Sequence, residues 1–162
     1  DGFAKAKDYA KTLMTSPEMS TESQAALVTY NSLPSLRHVL TTKTRFLGAL
    51  GLAMFQPGMS NPAPALNMVA DSIFQKAMGD RSDVPNLVVF VSDGRVVEGA
   101  ADATKAADSL RASGADVKAV CVPTLAGMET TPSCEMDTLV KIAGTAENVF
   151  QLTPPSSILK SL

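Results

Sequence analysis

The chain has 162 residues, with 14 Lys+Arg against 16 Asp+Glu and a formal charge of −2. A hydrophobic fraction of 45% and a charged fraction of 19% fit one ordinary globular core, a single domain over residues 1–162, and exclude a disordered chain. The charge balance excludes a non-specific nucleic-acid binder, which needs a basic surplus, and no apolar run reaches the roughly 18–20 residues that cross a bilayer. The sequence opens with Asp1-Gly2-Phe3 and shows no basic-then-apolar leader, so it reads as a mature or excised piece.

Helical and strand periods alternate along the chain. Phe3, Ala6, Ala10, Leu13 and Met14 share one helical face, and Ser16-Pro17 ends that helix. Gln24 to Tyr30 reads as a buried strand and Ser35 to Leu40 as a shorter neighbour, with Asn31-Ser32-Leu33-Pro34 as the turn. Thr41 to Met54 is predicted helical, with Phe46, Leu47, Leu50 and Met54 inward and Thr41 or Thr42 as N-cap. After the loop Gln56 to Pro62, a helix with Pro64 in its first turn is predicted to run to Met78, with Leu66, Val69, Ile73 and Phe74 inward.

Leu87 to Val91 is an unbroken apolar run, the mark of a strand covered on both faces. Further on come a helix from Glu98 to Ser113 closed by Gly114, a strand from Val117 to Val122, and a helix from Glu135 to Ala143 stopped by Gly144. A last strand, Asn148 to Leu152, and a short helix, Pro155 to Leu162, end the chain. This order implies an α/β fold, an open, doubly wound, mostly parallel sheet between two helical layers. Met14, Met54, Met68 and Met78 read as core filler, and Met59 and Met128 as exposed.

Few kinds of chemistry fit the residue inventory. Two cysteines, Cys121 and Cys134, and one histidine, His38, do not make the four-ligand spacing of a structural zinc site. A nucleophilic triad would have to use His38, which reads as a strand histidine facing solvent or a groove. Gly48 and Gly51 lie inside a helical pattern, and neither phosphate-binding glycine motif is present.

The run Leu87-Val88-Val89-Phe90-Val91-Ser92-Asp93-Gly94-Arg95 resembles the apolar strand and T/S-D-G turn of a von Willebrand factor type A domain. Gly2 to Tyr9 is similar to the start of that family's first helix, and Leu27 to Ser32 to its second strand and following turn. Gly58-Met59-Ser60-Asn61-Pro62-Ala63-Pro64-Ala65-Leu66 resembles its GGTNTxxAL loop. Leu139 to Gly144 followed by Asn148-Val149-Phe150 resembles its ending.

The resemblance implies a three-layer doubly wound sheet with one antiparallel edge strand. It also implies a cation site at the top of the sheet, where Ser60 stands at the family's Thr position and Asp93 at its Asp position. The family's central first strand and its D-x-S-x-S motif have no counterpart in the 162 residues, so the domain reads as incomplete at its N-terminus. The strand could lie in a longer chain, come from another polypeptide, or be replaced by another segment of this one. Mg2+ (or Mn2+ or Ca2+) is therefore expected only where that motif is supplied.

The loop Pro123–Ser133 lets Cys121 and Cys134 meet or remain separate thiols. The family's many extracellular members imply the bridge, worth roughly 3 kcal/mol. The implied function is a non-enzymatic, secreted adhesion or matrix-assembly module that binds an extracellular protein through the top face, with Met59, Asn61 and Arg95 as contact residues. The alternative is a subunit completed by a strand from another chain, or by self-association, with no working metal site.

Overall fold

The computed structural model describes residues 2–125, 127, 130–152 and 156–159. Met128 and the ends of the predicted last helix lie outside the described residues. Helix α1, Gly2–Thr15, is followed by strands β1, Gln24–Tyr30, and β2, Pro34–Thr42, then helices α2, Lys43–Leu52, and α3, Ala63–Met68. Strand β3, Leu87–Ser92, helix α4, Ala100–Ala112, and strand β4, Asp116–Cys121, come next. Helix α5, Met136–Ala143, strand β5, Val149–Gln151, and helix α6, Ser156–Leu159, complete the order.

Among the described residues the strands form two separate sheets. β1 pairs antiparallel with β2, from Gln24 against Thr42 to Tyr30 against Pro34. β3, β4 and β5 pair in parallel in that spatial order, with Leu87 opposite Asp116 and Ala119 opposite Val149. Side-chain alternation sends Val88 and Phe90 into a core with α4 and α5, where Leu110, Leu139 and Ile142 are fully buried. Val89 and Val91 point the other way, toward Tyr9 of α1 and Ile158 of α6. Helices thus cover both faces, which explains the apolar run in β3. A third cluster, Met14, Phe46 and Leu50, joins α1 and α2 over Ala25 and Leu27 of β1. Lys118, buried in β4, is held by Asp116 at 3.0 Å and by the Asn148 side-chain oxygen at 3.0 Å.

Three local expectations need correction. Thr41 and Thr42 extend β2, where Thr41 pairs with Ala25, because a β-branched residue fits a ladder better than a helix interior. Thr42 occupies the N-cap position of α2 but makes no side-chain cap bond. α2 ends at Leu52, so Met54 projects outward and is 75% exposed; of the four methionines read as core, Met14 is the one fully buried.

The helix expected from Pro64 to Met78 is broken. α3 passes into a π turn, Val69–Ile73, and the chain leaves helical geometry at Phe74 and Gln75. The wider turn sets Ile73 in the core and Phe74 against the main cluster, a packing demand that overrides the periodic pattern.

Between β1 and β3 lies a slot of about 820 Å3. Every residue of β1 lines one wall and Leu87 to Ser92 of β3 the other. No segment among the described residues fills it.

Candidate functional site

The sequence places Asp93 and Ser60 on different loops, and the structure shows what surrounds each. Asp93 follows β3 directly. Its Oδ1 accepts the Arg95 backbone N–H at 3.0 Å, and its Oδ2 accepts the Thr124 hydroxyl at 2.5 Å. Its carbonyl accepts the Glu135 N–H at 2.8 Å, which ties the turn to the start of α5. Gly94 is required here. Its φ is +78°, and a Cβ would stand 2.4 Å from the Glu135 carbonyl oxygen.

Ser60 sits on the loop before α3. Its carbonyl accepts the Val97 N–H at 3.0 Å, and the next residue, Asn61, donates its N–H to the Asn31 carbonyl at 2.9 Å. The loop is thus pinned both to the segment after Asp93 and to the end of β1. Tyr30 is the shared neighbour. Its ring stacks on Phe90 at 5.8 Å, and its hydroxyl interacts with the side chains of Ser92 and Ser60. Burial first, and then the Asp93 charge, push the phenol up to about 12, against the hydrogen bonds from Ser92 and Ser60.

Of the expected contact residues, Met59 is exposed, and its N–H is held by the Ser32 hydroxyl at 3.2 Å. Asn61 turns its side-chain oxygen to the Ala63 N–H at 3.3 Å, a local turn just before α3, whose N-cap position is held by Pro62. Arg95 reaches the Ser133 hydroxyl at 2.7 Å. His38 stands apart, on β2 opposite Leu27, with Nδ1 3.0 Å from the Val39 carbonyl.

Sequence reasoning missed Tyr30 and Thr124. Thr124 comes to Asp93 as the β3–β4 pairing continues past both strands, with the Val122 N–H bonded to the Ser92 carbonyl at 2.9 Å; Cys121 and Cys134 are joined in a disulfide, with Cα atoms 6.1 Å apart. Above the bridge, Thr124 and Ser133 exchange two backbone hydrogen bonds of 3.2 and 3.0 Å.

The donor set offers one carboxylate, already accepting at both oxygens, and hydroxyls. Among the described residues there is no group of three or more His, Cys, Asp or Glu able to hold a metal ion. A hard divalent cation needs about six oxygen ligands and compensating negative charge. These residues alone do not fit it.

The layered sheet, with Asp93 and Ser60 on loops at one end, is an open α/β architecture, a class in which ligands are held beyond the strand ends. The chain belongs to the von Willebrand factor type A domain family, whose model matches residues 1–162. Solved structures similar to it include proximal thread matrix protein 1 of the mussel byssus, 21% identical with a TM-score of 0.79, covering 99% of this chain and 41% of that one. The mussel protein has also been seen with zinc in its MIDAS motif. An aerotolerance-related membrane protein of Bacteroides fragilis is 16% identical with a TM-score of 0.74, over 98% of this chain and 85% of that one. Manganese-loaded TRAP of Plasmodium vivax is 14% identical with a TM-score of 0.72, over 95% and 62%. The chain therefore spans about two fifths of the mussel protein's length. At these identities the likeness is one of fold.

Proposed function

We propose that this domain is a non-enzymatic adhesion or matrix-assembly module of the extracellular space, and that it holds a protein partner on the loops around Asp93. The observation that carries this is where large apolar side chains are left exposed. Leu33, Phe55, Met59 and Leu125 all stand in loops at this end. Leu33 lies in the β1–β2 turn, next to Ser32, which holds Met59. Phe55 packs edge-on against Phe3 at 5.9 Å. Leu125 follows Thr124, the Asp93 partner. Isolated exposed apolar residues are ordinary, whereas a set grouped around a polar centre suits a protein interface.

Fold neighbours that include a byssus matrix protein support the same reading, and the disulfide suits an oxidising compartment. A divalent cation, Mg2+ or a relative, would join the site only where further carboxylates reach Asp93 and Ser60.

The test compares retention of soluble extracellular-matrix extract on immobilised chain with that on the triple variant Leu33→Ser, Met59→Ser, Leu125→Ser. Loss of at least about tenfold in the triple variant is expected, as for removal of interface anchors. Undiminished retention by a folded triple variant would overturn the proposal.

A further inference from the structure

The helical layer of α1 and α2 is charged unlike the layer on the other side of the sheet. The two helices lie side by side. The Lys7 ammonium reaches the Gly51 and Ala53 carbonyls beside the end of α2 at 3.2 and 2.7 Å, and Met14 packs with Phe46 and Leu50. Their sequences hold Lys5, Lys7, Lys11, Lys43 and Arg45 against a single acid, Asp8. From Ser23 to Ala70 the chain has no Asp or Glu at all. On the opposite layer the charges are mixed and paired, with Lys105 on Asp102 at 3.4 Å and Arg111 on Asp108.

Lys5, Lys11 and Arg45 are exposed and Lys43 is half-buried, and none of the four is in an ion pair among the described residues. Lys5, Asp8 and Lys11 recur at every third position along the outer stripe of α1. Lys43 and Arg45 stand in the first turn of α2, which has no acidic residue and whose N-cap, Thr42, makes no side-chain cap bond. Cations are unfavourable beside the positive end of a helix, so the local fold gains nothing from them. The outer face of α2 is also bare. Gly48 and Gly51 are exposed, and a Cβ on either would meet nothing within 4 Å. Glycine inside a helix costs about 1 kcal/mol relative to alanine, and neither a positive φ nor a close contact requires it at these two positions.

We infer that the α1–α2 face binds a sulfated polysaccharide. Lys5 and Lys11 on one helix and Lys43 and Arg45 on the other hold its sulfate groups, and the sugar chain lies close over the glycines of α2. Cations that no acid of the protein matches are the complement of a linear polyanion. The face is all helix and has no strand edge, so a flexible acidic peptide would be ordered there with no main-chain pairing to offset the loss. A stiffer sugar chain has less freedom to lose. A nucleic-acid duplex would run past a face two helices wide, about 20 Å, onto a protein whose net charge is −2. This face is separate from the loops around Asp93, and either proposal can fail without the other.

The test measures binding of the 162-residue chain to immobilised heparin, a sulfated polysaccharide, and to the same polymer after desulfation. Wild type is expected to bind the sulfated form at least about tenfold more tightly, and to lose at least about tenfold in affinity between roughly 50 and 200 mM salt. The double variant Lys11→Gln, Arg45→Gln is expected to bind at least about tenfold more weakly, with an unchanged melting temperature. The double variant Lys105→Gln, Lys141→Gln, which removes as much charge from the opposite layer, is expected to bind like wild type. Asp8→Asn, which removes the acid between Lys5 and Lys11, is expected to bind more tightly.

Equal losses in the two double variants would mean attraction by net charge alone and would overturn the inference. So would equal affinity for the desulfated polymer, undiminished binding by Lys11→Gln, Arg45→Gln, or no binding to heparin at about 50 mM salt. Tighter binding to polyglutamate, duplex DNA or phosphatidylserine vesicles than to heparin at the same salt would assign the face to another class of partner and overturn it as well.

Discussion

β4 and β1 are both apolar strands of one domain, yet they end in different environments. β4 has a strand on each edge and helices on each face, and every residue from Val117 to Cys121 is buried, Lys118 included. Among the described residues β1 has one neighbour, and not one residue of Gln24 to Tyr30 is fully buried, despite Leu27 and Val28 at its centre. Apolar composition is similar in the two; the number of partners differs. Burial in a sheet is conferred by the strands and helices around a strand and not by its composition alone.

The largest test of that contrast is a pair of truncations. Leu139→Ala, in the fully buried cluster beneath β3 and β4, is expected to cost about 2–5 kcal/mol in denaturant unfolding. Leu27→Ala, on the slot wall, is expected to cost less than half as much, because less apolar surface returns to water. Equal losses would show that the two halves are equally packed.

Next in size is the disulfide. The double variant Cys121→Ala, Cys134→Ala opens a loop between residues 13 positions apart, with an expected loss of roughly 3 kcal/mol. Thermal melts under oxidising conditions measure it.

A smaller effect reports on Tyr30, the side chain that reaches across the slot from one half to the other. The unfolded phenol ionises near 10 and the folded one near 12. Its contribution is therefore complete below pH 10 and is lost as pH rises toward 12, because the unfolded chain gives up the proton first. Urea midpoints from pH 9 to 12 should fall less steeply in Tyr30→Phe. Identical slopes would mean that burial does not raise the phenol above its ordinary value.

The smallest expected signal is in Mg2+ titration calorimetry of the 162-residue chain. Wild type and Asp93→Ala should give the same negligible heat, since one carboxylate and a few hydroxyls hold the ion poorly. Binding that depends on Asp93 would show that the gap between the halves leaves the cation site intact.

Much of the fold was legible because local signals agreed with tertiary demand. The strand Gln24–Tyr30 has an apolar interior and an Asn-Ser turn behind it, and its observed bounds match the expected ones. Gly114 and Gly144 mark the ends of α4 and α5 through the left-handed backbone that the chain needs there. The stretch after α3 was not legible. Its helical period continues through Phe74, and only the packing of Ile73 ends it.

The candidate site divides in the same way. Asp93 and Ser60 stand in motifs that can be read along the chain. Thr124 reaches Asp93 from 31 positions away, where the β3–β4 pairing continues past both strands. Tyr30 reads from sequence as one more strand residue, and its place between Ser60, Ser92 and Asp93 exists only once the loops assemble.

The closed foot of the loop after β4 has one more consequence. With Cys121 bonded to Cys134 and Thr124 laddered to Ser133, the strand below is insulated from changes in length beyond that point. A graft of foreign residues between Thr130 and Thr131, both outside the core, would hang from a rigid hinge and leave the register of the parallel sheet untouched. The domain thus carries, next to its exposed apolar loops, a position where new recognition elements can be displayed at little energetic expense.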